Sequence, residues 1–220
     1  MSFTELSLSP SILQSVRERG HSQPTAIQSR AIPLALAGRD LIAIAGTGSG
    51  KTAAFLLPIL DRLSRNPLNR IGALVIAPTR ELASQIGQEC DLLSRNTHLR
   101  AAVIVGGEPM GRQVHQLRAG VQVLIACPGR LIDHLERGTI NLDRIEVTVI
   151  DEADRMLDMG FLPQLRRILR MVGKPNQTLM FSATMDPEVE RVARELLYNP
   201  VSVRIEIGRA SCRERVCLYV

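Results

Sequence analysis

The stretch Ala45-Gly46-Thr47-Gly48-Ser49-Gly50-Lys51-Thr52 directly follows the apolar run Leu41–Ala45 and opens a segment with helical spacing. Glycines let a backbone curl around phosphate oxygens, so that successive N–H groups and a helix N-terminus point at negative charge. Lys51 would grip the outer phosphates, and the Thr52 hydroxyl can bind Mg²⁺. Ala45 stands where the strict pattern has its first glycine. The strand–loop–helix context favours a nucleotide-binding P-loop over the alternative, a glycine-rich turn with a solvated lysine.

Outward from this loop, short runs that are apolar at almost every position alternate with helical segments. Such runs are typical of strands that are covered on both faces. Ser9-Pro10 and Asp186-Pro187 have the pattern of helix starts, and Gly20 and Gly173 are placed as helix ends. The alternation predicts an α/β domain, a parallel β-sheet with helices on both faces. The predicted strands are Leu41–Ala45, Ala73–Ala77, Ala101–Val105, Val121–Ala126, Val147–Ile150, Thr178–Phe181 and Val201–Ile205.

The composition is that of one globular domain. The chain has 220 residues, of which 45% are apolar and 22% charged. No apolar run approaches the roughly 18 residues that span a bilayer, and the first residues lack the pattern of a secretory signal. We therefore expect a cytoplasmic protein without a membrane partner. The net charge of +5 suggests a polyanionic partner. The cysteines form no CxxC pair, which argues against a zinc site and against a disulfide framework.

The last fourteen residues, Ile207–Val220, have neither a strand nor a helix period. They resemble the translated read-through of a sequencing adapter, so we expect a non-native, dispensable tail and a domain that spans residues 1–206. The tail holds three arginines and one glutamate, and without it the net charge falls from +5 to +3. The alternative is a genuine divergent tail.

An acidic cluster, Asp151-Glu152-Ala153-Asp154, follows the apolar run Val147–Ile150. A carboxylate at the C-terminal end of a buried parallel strand lies at the crevice where doubly wound sheets bind ligands. Asp151 could hold Mg²⁺, and Glu152 could orient and deprotonate an attacking water. The alternative is that these acids only complement a helix N-terminus.

In this order the motifs AGTGSGKT, PTRELA (Pro78–Ala83), DEAD (Asp151–Asp154) and SAT (Ser182–Thr184) resemble those of the DEAD-box RNA helicases. The stretch Asp151–Phe161 is especially similar to the bacterial RhlE-type members. The resemblance covers Phe3 to about Glu206. It implies a RecA-like P-loop domain that binds ATP and Mg²⁺, with Lys51 and Glu152 as catalytic residues, and it implies RNA as partner.

The resemblance also implies an adenine-reading segment over about residues 3–28. Pro24-Thr25-Ala26-Ile27-Gln28 matches the segment of the family, and Phe3 stands where the family has an aromatic that packs on the base. A glutamine amide offers one donor group and one acceptor, which can pair with N6 and N7 of adenine. The alternative is a helix capping box, which Thr25-x-x-Gln28 also satisfies.

For RNA, the resemblance implies contacts to the backbone that are not sequence-specific. Cys127 stands where the family has threonine, and a thiol is a weak hydrogen-bonding group. Ser182 and Thr184, together with Asp154, would couple the nucleotide state to the grip on RNA. The RNA-binding candidates are Thr79, Arg80, Glu81, Gly106, Gly107, Pro128, Gly129 and Arg130.

The family has a second domain, which supplies arginines for the γ-phosphate and half of the RNA channel, and we expect this domain to be missing from the 220 residues. The leading hypothesis is the first domain of an ATP-dependent RNA helicase, poorly active as a fragment. One alternative is a non-catalytic module that binds ATP and RNA. A third possibility, a P-loop phosphotransferase or unrelated ATPase, predicts neither Gln28 nor the PTRELA motif.

Overall fold

A computed structural model describes residues 1–66, 69–172 and 177–205, together with the backbone of 216–218. Its sheet has the strand order β3-β4-β2-β5-β6-β1-β7-β8, and all neighbours from β3 to β7 pair in parallel. The parallel strands coincide with the apolar runs, which confirms the predicted fold class. They are β1 (Leu41–Ile44), β2 (Ala73–Ile76), β3 (Ala101–Ile104), β4 (Val123–Ala126), β5 (Val147–Ile150), β6 (Gln177–Ser182) and β7 (Val201–Arg204).

Helices cover both faces of this sheet because neighbouring residues of each strand point to opposite sides. In β1, Leu41 and Ala43 join the buried cluster on one face of the sheet, whereas Ile42 and Ile44 join the buried cluster on the other face. A short 3-10 helix (Phe3–Leu6) precedes the α-helices. These are α1 (Pro10–Glu18), α2 (Ala26–Leu36), α3 (Lys51–Arg65), α4 (Arg80–Leu93), α5 (Met110–Arg118), α6 (Pro128–Glu136), α7 (Ala153–Asp158), α8 (Leu162–Val172) and α9 (Pro187–Leu196). None of the described helices is long and apolar enough to cross a bilayer.

The two predicted helix starts lie where the sequence indicated, but only one has a local side-chain cap. The carboxylate of Asp186 accepts the N–H groups of Glu188 and Val189 at the start of α9. Ser9 precedes α1, yet its hydroxyl makes no cap bond. Instead, the Ser9 N–H donates to the Asp61 carboxylate of α3 over 2.6 Å. A tertiary contact therefore fixes the start of α1. Gly173 lies outside the described residues.

The edge of the sheet beside β7 carries one further strand, β8 (Val216–Leu218), which pairs antiparallel with β7. These three residues belong to the segment in which the sequence indicated no strand, so that expectation is wrong for them. An edge strand presents unpaired backbone groups that any extended segment can meet, whatever its side-chain pattern. The remainder of the predicted tail lies outside the described residues, and its dispensability stays a prediction.

Candidate ATP and RNA site

The strand order divides the carboxyl edge of the sheet into two neighbouring halves. The loops after β5, β6 and β1 carry the DEAD, SAT and P-loop motifs, and these strands are adjacent. The loops after β3, β4 and β2 carry the three groups of RNA-binding candidates, and these strands are also adjacent. Since β2 pairs with β5, the two halves meet at the centre of the sheet. The candidate phosphate-binding motifs of one half therefore lie beside the candidate RNA contacts of the other.

The P-loop joins β1 to α3 and turns through two left-handed glycines, Gly48 at φ 74° and Gly50 at φ 91°. The Lys51 ammonium donates to the carbonyl oxygens of Ala45 over 2.6 Å and of Gly46 over 3.2 Å. An ammonium has three donors, so one remains beyond these two bonds. The Ser49 hydroxyl is buried and has no hydrogen-bond partner in the described part of the chain. An unpaired buried hydroxyl and a lysine directed into the same loop fit an oxygen-rich anion.

Gln28 makes the capping box and also reaches the P-loop. Its Oε1 accepts the Thr25 N–H over 3.0 Å, and the Thr25 hydroxyl accepts the Gln28 N–H over 3.4 Å. Its Nε2 donates to the Gly50 carbonyl over 3.1 Å. The residue is 5% exposed. The amide keeps one N–H and one lone pair beyond these bonds, so capping and adenine reading are compatible. The contact with Gly50 is tertiary, and no sequence signal announces it.

Phe3, the second adenine-reading candidate, is 5% exposed and packs in the cluster that includes Leu6 and Ile27. Its ring is therefore already largely covered by protein. The structure places it in the N-terminal 3-10 helix beside α2, the helix whose capping box includes Gln28. Stacking of a base on this ring stays a prediction.

The two acids after β5 have different environments. Asp151 is 2% exposed, and burial raises its pKa to about 7 although the nearby positive charge of Lys51 and the Glu152 N–H oppose the rise. A cation bound at this carboxylate would favour the ionised form and lower the pKa. Glu152 has a left-handed backbone at φ 50°, a conformation that costs a non-glycine residue about 1–3 kcal/mol and clusters at functional sites. Its carboxylate pairs with Arg155 over 3.2 Å.

Asp154 connects the DEAD and SAT motifs. Its Oδ2 accepts the N–H groups of Ala183 and Thr184 over 3.1 and 2.9 Å and the Thr184 hydroxyl over 3.1 Å. Its own N–H donates to the Ser182 hydroxyl over 3.3 Å. Partial burial raises the pKa of Asp154, but hydrogen bonds from Arg155, Thr184 and Ser182 outweigh it and lower the pKa overall. The three coupling candidates thus form one charged hydrogen-bond network.

The loops after β2 and β3 meet each other at the RNA half of the edge. Thr79 caps α4 by accepting the Leu82 N–H, and Arg80 and Glu81 are exposed in the first turn. Gly107 is left-handed at φ 79°, and a Cβ added to it would overlap the Arg80 guanidinium. A side chain at this position would have to displace the guanidinium, and the positive φ also favours glycine. The Arg80 guanidinium therefore lies beside the exposed backbone of Gly107, which is a suitable arrangement for a phosphate.

The third RNA candidate group starts α6, where Gly129 is exposed and Pro128 is buried. The Arg130 side chain is only 14% exposed, because its NH1 donates to the Glu108 carbonyl and to Gln113 over 2.9 and 3.2 Å. The assignment of Arg130 to RNA binding stays a prediction. The Arg130 Nε lies 3.7 Å from the Asp133 carboxylate, which is too long for a hydrogen bond.

Other polar residues of this half escaped the sequence interpretation. Gln113 and His134 are buried and bonded to each other over 2.9 Å, but one glutamine and one histidine in helical stretches carry no recognisable signal. Cys127, at the threonine position of the family, is partly buried, and burial raises the pKa of its thiol to about 11. It remains a neutral thiol at physiological pH.

Comparison with known proteins places this geometry in a family. A sequence model described as DEAD/DEAH box helicase matches residues 25–192. The chain is 49% identical over 208 residues to a protein named ATP-dependent RNA helicase DBP2 from Mycosarcoma maydis, covering 93% of this chain and 38% of that protein. A protein of the same name from Eremothecium gossypii is 47% identical, with 92% and 37% covered.

Solved structures agree with the fold. A DEAD box protein from Methanococcus jannaschii superposes with a TM-score of 0.89 at 39% identity, covering 94% of this chain and 56% of that one. A hypothetical ATP-dependent RNA helicase from Sulfolobus tokodaii gives a TM-score of 0.84 at 35% identity, with 90% and 57% covered. The chain spans 38% of the first curated relative. With its P-loop, acidic motif and strand order in place, the chain belongs to the DEAD/DEAH box helicase family.

Proposed function

We propose that the chain is the first ATP-binding domain of an ATP-dependent RNA helicase, in which ATP binding and hydrolysis drive RNA remodelling. The observation that supports the proposal most directly is the Asp154 network. One carboxylate of the DEAD motif holds the two N–H groups and the hydroxyl of the SAT segment. A shift of Asp154 would therefore change the position of the SAT segment at the end of β6.

On the ATP half, the P-loop amides and Lys51 would bind the phosphates, and Gln28 would select adenine. Mg²⁺ bound to nucleotide phosphates needs only one or two protein ligands, which the Thr52 hydroxyl and the Asp151 carboxylate would provide. Such an ion neutralises charge that develops on the transferred phosphoryl group. Glu152 would orient a water and accept its proton. The left-handed backbone of Glu152 supports that role, because such strained conformations cluster at functional sites.

On the RNA half, exposed N–H groups of the Gly106-Gly107 and Gly129 loops and the Arg80 guanidinium would bind phosphate oxygens. Contacts of this type grip the backbone without reading bases. The whole enzyme would need the second domain that the family resemblance implies, and the DBP2 proteins are long enough to contain one, since the chain covers only 38% of the relative from Mycosarcoma maydis. The assignment to the bacterial RhlE type is a finer proposal that depends on Asp151–Phe161, since the relatives described above are fungal proteins named DBP2. A cytoplasmic location likewise stays a prediction.

We expect the chain to bind ATP and ADP better than GTP and GDP, and Gln28→Ala to weaken binding and reduce that preference. An adenine-reading amide leaves polar groups unpaired with the wrong base, at a cost of about 1–3 kcal/mol. Titration calorimetry with the four nucleotides measures both effects.

Because Gln28→Ala also removes a helix cap, the ratio of adenine to guanine affinity decides the assignment, not the affinity alone. Asp186→Ala removes the cap of α9 and should leave that ratio unchanged. Equal affinity of the unmodified chain for ATP and GTP would restrict Gln28 to its capping role.

We expect Arg80→Ala to weaken binding of single-stranded RNA equally across sequences and to lower the salt dependence of binding by about one phosphate contact. Fluorescence anisotropy with a labelled oligouridine and a labelled mixed-sequence oligonucleotide, each at several salt concentrations, measures this change. Arg95, exposed beyond the opposite end of α4, offers the matched control Arg95→Ala. An equal loss in both variants would reduce the role of Arg80 to general positive charge.

A further inference from the structure

Helix α5 is held to the domain by a buried glutamine. Among the nine residues of α5, all of them described, Gln113 alone is buried, at 1% exposure. Its Nε2 donates to the Val105 carbonyl over 2.8 Å, directly before Gly106. Because a carbonyl oxygen can only accept, this bond fixes the orientation of the amide and directs Oε1 to the other side.

On that other side, Gln113 Oε1 receives two donors from α6. Arg130 NH1 lies at 3.2 Å and His134 Nε2 at 2.9 Å. The same NH1 also donates to the Glu108 carbonyl over 2.9 Å. One amide therefore joins the strand end before Gly106 to the helix that begins with Pro128, and Arg130 extends this link to the loop that follows Gly107. These segments come from β3 and β4, which are neighbours in the sheet.

His134 completes the network on the far side of its ring. It is 0% exposed, and its Nδ1 lies 2.8 Å from the Thr139 hydroxyl. Burial lowers the pKa of His134, and the positive charge of Arg130 adds to that effect, although the Asp133 carboxylate opposes it. Since Oε1 of Gln113 only accepts, Nε2 of the ring carries a hydrogen, and the Thr139 hydroxyl also donates to the His134 carbonyl over 2.9 Å.

We propose that Gln113 is a positioning residue for RNA binding, which with His134 sets the spacing between the Gly106–Glu108 loop and the start of α6. This inference rests on the proposed function, in which both loops contact RNA phosphates. A loop that becomes ordered only when RNA binds loses conformational entropy, which weakens the binding. A buried link that orders both loops beforehand reduces this loss. The network also holds the Arg130 side chain in place, with its Nε buried and 3.7 Å from the Asp133 carboxylate.

The test compares Gln113→Met with Gln116→Met, an exposed glutamine of the same helix. Methionine keeps the length of the side chain and removes its hydrogen bonds. We expect Gln113→Met to lower the affinity for labelled oligouridine by about tenfold and to speed amide exchange at Gly106 and Gly107. It should also shift the Nε2 resonance of His134. Gln116→Met should change none of these, and both variants should bind ATP as the unmodified chain does.

The readouts separate two failures. If the unmodified chain does not bind oligouridine, the proposed RNA function is wrong, and the exchange rates at Gly106 and Gly107 still decide whether Gln113 orders that loop. If exchange at these glycines is equal in the three proteins, or if exchange rises while RNA affinity stays constant, Gln113 is not a positioning residue for RNA. Gln113→Glu keeps the acceptor for Arg130 and His134 but loses the donor to Val105. Its affinity for oligouridine and its exchange rates at Gly106 and Gly107 should lie between those of Gln113→Met and Gln116→Met.

Discussion

Joining the 220-residue polypeptide to the second helicase domain of a relative is expected to raise its ATP turnover by about 10³–10⁵-fold. The carboxyl edge of the sheet supplies Lys51, Asp151 and Glu152, whereas the family resemblance assigns the arginines that touch the γ-phosphate to the second domain. Charge that develops on the transferred phosphoryl group must be stabilised by such positioned cations. We therefore expect the polypeptide alone to bind ATP, to hydrolyse it slowly, and to show neither RNA stimulation nor duplex unwinding.

The Methanococcus jannaschii protein, at 39% identity and a TM-score of 0.89, is a suitable source of the second domain. Phosphate release with and without RNA, and unwinding of a short duplex, measure the gain. In the joined protein, Glu152→Gln should lower turnover by about 10²–10⁴-fold while ATP still binds, because the amide cannot accept a proton. Glu190→Gln, which removes a surface ion pair with Arg194, is the control. Fast RNA-stimulated hydrolysis by the polypeptide alone, abolished by Glu152→Gln, would refute the half-enzyme proposal.

Gly50→Ala is expected to cost about 2–3 kcal/mol of folding stability and to lower ATP affinity at least about tenfold. Gly50 has a left-handed backbone at φ 91°, and its new Cβ would lie 2.5 Å from Gln28 Nε2 and 3.1 Å from Thr25 Oγ1. The substitution therefore adds backbone strain and also displaces the side-chain amide of Gln28, which donates to the Gly50 carbonyl. Denaturant unfolding and ATP titration measure the two effects.

Gly48→Ala is the matched control within the same loop. Gly48 is also left-handed, at φ 74°, but a Cβ there meets nothing within 4 Å, so only the strain of about 1–2 kcal/mol applies. Adding Gln28→Ala to Gly50→Ala removes the clash and should recover part of the lost stability. If Gly48→Ala and Gly50→Ala are equally destabilised, the contact between Gln28 and the P-loop has no energetic role.

The sequence by itself determined the elements and the chemistry of the ATP half. Parallel strands such as β1 and β2 are buried on both faces, so their sequences are apolar at nearly every position and visible without a structure. The P-loop and DEAD motifs are equally local, because a glycine turn and the helix N-terminus that follows it lie within one short stretch. The seven parallel strands, the position of Lys51 at the start of α3 and that of Asp151 at the end of β5 followed from such stretches alone.

Only the tertiary structure decided which loops meet. Right-handed crossovers leave the order of parallel strands open, so the placement of β2 between β4 and β5, which joins the RNA and ATP halves, has no local signal. The same holds for single polar side chains whose partners are distant in the sequence. Gln28 reaches Gly50, Asp154 reaches Thr184, and Gln113 draws the Arg130 guanidinium inward. A hydrogen bond depends on the position of both partners, and a sequence window contains only one of them.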